Sequence, residues 1–392
     1  MFQTMQAPPP DKILSLLDLF RADTRQSKLD LGIGVYKDPQ GLTPILPSVA
    51  AAEARRVAEL RTKVYVGPGG DPRFVELVRD LAFGPDAPRE RIGGVQTTGG
   101  AGALRCLAGL IAQQAPGATV HVPDPTWVNH LSLLADARLR TASYRYYDAA
   151  TGRLRIDGML ADIAAMGPGD VIMLHGCCHN PTGADPTAQD WERIIGAIAQ
   201  SGVLPFVDLA YQGFGDGLEA DAAPLRAMAA RLPEMLIAYS CSKNFGIYRD
   251  RTGAAFALSA TPEGARIAAA QLTARNRVAY SMPPDHGAGL VRGVLEDAAL
   301  SAQWRDEVEA MRRHIARNRA ALAKALGALD AERFGAIGEQ KGMFSCLPIS
   351  EAQVDRLREE HAIYMVSDGR INLAGLDVAQ APFLTEAVAA VL

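Results

Sequence analysis

The chain has 392 residues, 48% hydrophobic and 21% charged, the make-up of an ordinary globular protein and more than one hydrophobic core usually organises. A net charge of -4 offers no broad attraction for nucleic acid or an anionic membrane. Five cysteines, Cys106, Cys177, Cys178, Cys241 and Cys346, odd in number and two of them adjacent, argue against a disulfide framework and favour a reducing compartment.

Residues 1–11, with Pro8-Pro9-Pro10, read as an N-terminal arm; they have neither the basic flank nor the apolar run of a signal peptide. No uncharged apolar run approaches the roughly 20 residues of a membrane span, so a cytoplasmic protein is expected. From about residue 90 to 260, short apolar runs alternate with longer amphipathic stretches, which predicts βαβ units and a mainly parallel sheet. Val95 to Leu104 reads as strand, glycine turn and helix start, with Gly99, Gly100 and Ala101 at the turn; exposed N–H groups and the helix dipole there attract phosphate. The predicted strands include Thr119–Val122, Val171–Leu174, Leu204–Val207 and Leu236–Tyr239, and the helices Ala101–Gln114 and Ala188–Ser201. Beyond residue 300 a long helix is predicted over Ser301–Leu329 and another over Glu351–His361, with short strands near Met343–Ser345 and Arg370–Leu373: an α+β unit, with a boundary near residue 310. Arg312, Arg313, Arg317 and Arg319 read as a solvated helix face.

Open parallel sheets bind ligands beyond the carboxyl ends of their strands. Three successive strands end in reactive residues: His175-Gly176-Cys177-Cys178-His179-Asn180, then Asp208 with Tyr211, then Ser240-Cys241-Ser242-Lys243. Asn180 and Asp208 stand 28 residues apart, Asp208 and Lys243 35, which suits successive βαβ units around one pocket. A buried Asp208 needs a cationic partner, and a protonated pyridine nitrogen would serve. Lys243 shares its site with Arg251, a like charge that lowers its pKa towards the nucleophilic amine. Ser240, Ser242 and Arg251 form a phosphate cradle. Taken singly, Lys243 reads as well as a surface lysine, Asp208 as a cap or turn residue, Asn180-Pro181-Thr182-Gly183 as a plain turn and Trp127 as packing. The His175, Cys177, Cys178, His179 cluster invites a metal, but adjacent cysteines suit a single zinc poorly, and none is expected.

Together these motifs resemble the class I aspartate and aromatic aminotransferases, of the fold-type-I pyridoxal-phosphate superfamily. The match runs nearly the whole chain, from Leu31-Gly32-Ile33-Gly34-Val35-Tyr36-Lys37-Asp38 to Gly369-Arg370-Ile371-Asn372-Leu373-Ala374-Gly375. It implies an α/β large domain, residues 46–310, whose mainly parallel seven-stranded sheet lies between helices, and a smaller α+β domain from residues 12–45 and 311–392. It also implies that Lys243 carries pyridoxal 5'-phosphate as a Schiff base and shuttles the substrate proton. Asp208 would pair with the pyridine nitrogen, backed by His130. Trp127 would stack on the ring, Asn180 and Tyr211 would bond its oxygen, and Ser240, Ser242, Arg251 and the Gly99, Gly100 and Ala101 backbone would hold the phosphate. Tyr65 would reach that phosphate from a second subunit, so a homodimer with shared sites is expected. Arg370, with the Gly34 backbone, would bind the substrate α-carboxylate, and Arg277 of the second subunit, or its neighbour Arg275, a distal one. Ala101 replaces a hydroxyl residue at the phosphate, and Val64 and Met282 replace polar residues, which tilts the expected substrates towards aromatic as well as acidic amino acids, with 2-oxoglutarate as acceptor. A β-lyase or decarboxylase on the same fold would share Lys243 and Asp208 but has less reason to pair Arg370 with Arg277; a regulator that binds the cofactor without turnover would need no complete catalytic set.

Overall fold

The computed structural model describes residues 2–7 and 12–392; of the expected arm, residues 1 and 8–11 lie outside them. Seven strands form the central sheet: β1 Ile92–Thr98, β2 Thr119–Asp124, β3 Arg140–Arg145, β4 Val171–His175, β5 Leu204–Leu209, β6 Met235–Ser240 and β7 Thr252–Leu258. Their order is β1-β7-β6-β5-β4-β2-β3, all parallel except β7, which runs antiparallel between β1 and β6.

Strands buried on both faces need apolar residues throughout, hence the unbroken runs of β4 and β6. Successive side chains still alternate between faces. Ile172, Leu174, Val207 and Ile237 join the core beneath the helices Pro72–Phe83, Ile156–Ala165, Ala188–Ser201 and Leu218–Arg231. Val171, Met173, Phe206 and Leu236 join the core under the helices Gly99–Gln114 and Pro262–Tyr280. The helix Ala188–Ser201 is bounded as its sequence predicts: Thr187 and Asp190 cap it reciprocally, and Gly202 ends it in the left-handed conformation.

A separate core gathers Leu29, Leu31, Leu347, Leu357, Ile363, Ile371 and Leu384. The 32-residue helix Ala298–Leu329 serves both: Trp304, Val308, Met311 and Ile315 pack into the sheet core, Leu322 and Leu326 into the separate one. The expected boundary near residue 310 therefore falls inside a continuous helix. The expected basic face also divides. Arg312 and Arg313 bond Glu309 at the surface, whereas Arg319 turns inward, bonding the carbonyls of Ile337, Gly342 and Phe344 and the hydroxyl of Ser345. Its place on the stripe of Ile315 and Leu322, one turn away on either side, accounts for this. No described helix is long and apolar enough to cross a membrane.

Candidate active site

The parallel register sets His175 beside Asp208, and Asp208 beside Ala238, two residues before Ser240. Side chains from these three strand ends line one cavity of about 120 Å³, together with Gly100, Ala101, Trp127, Asn180, Tyr211, Lys243 and Arg251.

Asp208, its side chain 12% exposed, lies 3.0 Å from His130 Nε2. Thr126 Oγ1 is 2.8 Å from the other ring nitrogen of His130, so a neutral imidazole can accept from the threonine and donate to Asp208. Burial alone would raise the Asp208 carboxyl; the hydrogen bond from His130 and the charge of Lys243 are among the effects that outweigh it and hold it below the usual range. The Lys243 amine sits 5.1 Å from the centre of the Tyr211 ring and is lowered to about 8. Burial is the main cause, against the pull of Asp208. Arg251, which the sequence reading credits, adds less.

The opposite end of the cavity is an anion cradle. Helix Gly99–Gln114 starts directly after β1, and Thr98 does not cap it with its side chain, which leaves its first-turn N–H groups to a ligand. Gly99 has a φ of 73°, and a methyl group there would stand 2.8 Å from Arg251 Nη2; one on Gly100 would stand 2.9 Å from Ser240 Cβ. Only glycine lets this backbone meet Ser240 and Arg251 so closely. Arg251 Nη1 reaches Ser242 Oγ at 3.5 Å.

Arg370 comes from the separate core and reaches this cavity through Asn180. Its Nη1 donates to Asn180 Oδ1 at 3.4 Å, while Asn180 Nδ2 donates to the Tyr211 hydroxyl at 3.4 Å. Arg370 is 5% exposed, stacks 4.7 Å above the Phe344 ring and donates Nη2 to the Gly32 carbonyl, yet its Nε is buried with no partner among the described residues. Burial lowers its pKa. Gly34 packs against the same Phe344 ring; a methyl group there would stand 2.9 Å from Cζ.

Two expected residues do not join the cavity within one chain. Tyr65 is 84% exposed, and Arg277 is exposed with its guanidinium 2.9 Å from Ser281 Oγ. Arg275 points elsewhere, to Gln113 Oε1 at 2.6 Å. Sequence reasoning placed His175 at a reactive strand end but gave it no part in the cofactor site, whose cavity it lines level with Asp208. Phe344, the platform under Arg370, carried no signal beyond its strand pattern.

An amine and an ionised carboxylate on one cavity, with an anion cradle of bare N–H groups, serines and arginine beyond them, fit an aromatic aldehyde that carries a basic ring nitrogen and a phosphate. Comparison with known proteins agrees. The family "aminotransferase class I and II" matches residues 26–388. The aromatic-amino-acid aminotransferase of Paracoccus denitrificans is 47% identical over 99% of both chains, and the aspartate aminotransferase of Escherichia coli K12 43% over the whole of both. The crystal structure of the aromatic-amino-acid aminotransferase from Burkholderia pseudomallei, covalently bound to pyridoxal phosphate, superposes with a TM-score of 0.96 at 39% identity, covering 100% of this chain and 99% of that one. The chain belongs to the class I and II aminotransferases and is an enzyme that transfers amino groups with pyridoxal 5'-phosphate.

Proposed function

We propose that the enzyme moves the amino group of aromatic and acidic amino acids to 2-oxoglutarate, acting as a cytoplasmic homodimer that shares its two sites. The observation that carries the substrate class is Arg370: a guanidinium 5% exposed, with no carboxylate partner among the described residues and an unused Nε, beside the cavity of Lys243. A buried cation with donors to spare fits a ligand carboxylate, which planar guanidinium binds with two parallel hydrogen bonds. The aromatic and aspartate enzymes among its relatives support both substrate types.

When bound, pyridoxal phosphate supplies an electron sink that acidifies the substrate Cα–H and stores the amino group between the two halves of the reaction. Lys243 would hold the cofactor covalently and, once the substrate amine displaces it, its amine, lowered to about 8, would take the Cα proton and deliver it to the cofactor carbon that bears the transferred nitrogen. Asp208, kept ionised by His130, would hold the proton on the ring nitrogen. Ser240, Ser242, Arg251 and the backbone of Gly99, Gly100 and Ala101 would hold the phosphate, Trp127 one ring face, and Asn180 with Tyr211 the ring oxygen. Arg370 and the Gly34 backbone would fix the α-carboxylate, so that the Cα–H is presented to Lys243 rather than sampled by diffusion.

Tyr65 and Arg277 would complete the site from a second copy. Both are exposed in the single chain, next in sequence to Val64 and Val278, which are 77% and 89% exposed; large apolar side chains left so open favour a partner. Arg275 is committed to Gln113, which favours Arg277 as the distal clamp. The five free thiols suit a reducing cytoplasm. The large unit would be residues 46–310, and residues 12–45 with 311–392, which carry Gly34 and Arg370, the small one.

Borohydride reduction of the loaded enzyme, followed by peptide mapping, should place the cofactor on Lys243, and Lys243→Ala should lower turnover by about a millionfold, about 8 kcal/mol. Phenylalanine and aspartate should each yield an oxoacid and glutamate. A label on another lysine would overturn the assignment of Lys243, and ammonia or carbon dioxide in place of glutamate the reaction.

A further inference from the structure

Cys177 and Cys178 lie just past the end of β4, in a bend where the alternation of side chains along a strand no longer holds. Cys178 has a φ of 53°, a left-handed conformation that a residue with a side chain keeps only where its surroundings enforce it. The enforcement is visible: the N–H groups of Cys178 and His179 both donate to Asp185, at 2.6 and 2.9 Å. This turn brings consecutive thiols together, and the helix Leu218–Arg231 adds a carboxylate. Both Sγ atoms and an Asp221 oxygen lie within 4.8 Å of one another, and all three residues are buried. Asp221 is held in place by the N–H groups of Gly213, Gly215 and Asp216, at 2.8, 2.9 and 2.7 Å. The transamination chemistry has no use for this arrangement.

The cluster has its own entrance. A second cavity of about 350 Å³ is lined by Cys177, Asp185, Glu192, Asp216, Asp221 and Lys341 among others, so carboxylates outnumber the one ammonium and the mouth attracts cations. Cys177 lines this cavity and the cofactor cavity alike. Behind the thiols Gly342 presses so close that a methyl group on it would stand 2.8 Å from Cys178 Sγ, and the Gly342 carbonyl accepts from Arg319 Nη2 at 2.7 Å. A thiolate at Cys178 would thus lie near a buried guanidinium that no carboxylate neutralises among the described residues. His175 and His179, the other members of the sequence cluster, stand apart from this group: their rings stack at 4.1 Å, their Nδ1 atoms face the Asn180 N–H and Thr182 Oγ1, and their Nε2 atoms are buried with no partner among the described residues.

We propose that Cys177, Cys178 and Asp221 bind a thiophilic divalent cation of the zinc and cadmium class, entered from the acidic cavity, and that its occupation is felt at the cofactor cavity through Cys177. Each thiol releases its proton to solvent as its sulfur–metal bond forms, so two protons leave per ion, and nothing is oxidised or reduced. A tetrahedral zinc with bonds near 2.3 Å needs its sulfurs about 3.8 Å apart, inside the 4.8 Å that encloses the three ligand atoms, and three protein ligands leave a fourth position for water. Without the ion both thiols stay protonated: the hydrogen bond to Cys178, then burial, hold Cys177 well above the usual thiol range, and Cys178, pulled down by Cys177 but raised by burial, stands at about 12. Affinity should therefore climb about 100-fold per pH unit near neutrality.

The test is titration of the loaded enzyme with cadmium, following sulfur-to-cadmium absorbance in the ultraviolet, proton release and transamination together. One ion per chain, two protons released, falling activity, and a loss of affinity on the order of 100-fold in Cys178→Ala are expected. Absence of the band, or a band that survives Cys178→Ala, overturns the site; full activity at full occupancy overturns the coupling. If Cys178→Ala does not fold, the unaltered enzyme decides: cadmium should slow alkylation of the Cys177–Cys178 peptide at least tenfold and leave the Cys346 peptide unaffected, whereas equal rates would overturn the site.

Discussion

Arg319 and Arg370 are both 5% exposed, both lack a carboxylate partner among the described residues, and both touch Phe344, one through its carbonyl and the other across its ring. They differ in what remains unused. Arg319 delivers four hydrogen bonds to three carbonyls and a hydroxyl, and its work is complete within the fold. Arg370 gives Nη2 to Gly32, a long bond to Asn180, and leaves Nε bare. A buried charge beside a cavity is open to a ligand when its donors are left over, and a buried charge whose donors are consumed is architecture.

Substitution should separate the two by which observable moves. Arg370→Leu should lower kcat/KM by about a thousandfold to ten-thousandfold, about 4–5.5 kcal/mol of transition-state binding, with stability changed by less than about 1 kcal/mol, because removing a poorly compensated charge offsets its lost bonds. Arg319→Met should do the reverse. It strands three buried carbonyls and should destabilise the fold by about 3–5 kcal/mol, with kcat of the folded enzyme within about threefold. Urea unfolding and steady-state kinetics on both variants check this. Equal activity losses would erase the distinction.

Lys243 is a third buried cation and sharpens the comparison through pH. Its amine is lowered from 10.5 to about 8, so between those values the unfolded chain binds a proton that the native chain does not. Stability of the cofactor-free protein then rises with pH through that window, and below it the native state carries a penalty of up to about 3 kcal/mol. Lys243→Met should accordingly be the more stable protein at pH 7, with its advantage shrinking towards pH 10. Arg319 stands at about 10, lowered by burial, so the cost of Arg319→Met should be flat from pH 7 to 9. An advantage of Lys243→Met that does not vary with pH would mean that the amine is not held neutral by its surroundings.

Much of this was legible in the sequence because the central strands are buried on both faces and announce themselves as apolar runs; Val171–Leu174 and Leu204–Val207 extend by one or two residues in the structure, to His175 and Leu209. Their chemistry follows from position, since Asp208 and Lys243 stand where such strands end. Less regular pieces were silent. Strand β7, Thr-Gly-Ala-Ala-Phe-Ala-Leu, offers small residues and little contrast, and its antiparallel course depends on neighbours far away in sequence. The inward turn of Arg319 looks like a solvated charge unless its place on the apolar stripe is counted. Asp221 enters the thiol cluster from a helix of unremarkable pattern, and the left-handed turn at Cys178 has no local signature.

The smallest expected effect concerns Arg277, and it extends the contrast between used and unused guanidinium to the surface. Residues 275 and 277 lie about 200° apart around the helix Pro262–Tyr280, so they cannot serve the same side. Arg275 packs along Gly109 and bonds Gln113, its burial lowering its pKa, whereas Arg277 bonds only Ser281 among the described residues and is exposed. If a second copy receives Arg277 at its cavity, this guanidinium meets the distal carboxylate of aspartate but has no such partner on phenylalanine. Arg277→Leu should then reduce kcat/KM for aspartate about 10- to 100-fold, 1.4–2.7 kcal/mol, with phenylalanine within about threefold. Arg275→Met should leave the ratio of the two substrates unchanged. A parallel fall for both substrates in Arg277→Leu would move this arginine from specificity to assembly, since a weakened dimer penalises every substrate alike; sedimentation of the variant would then show dissociation at assay concentrations.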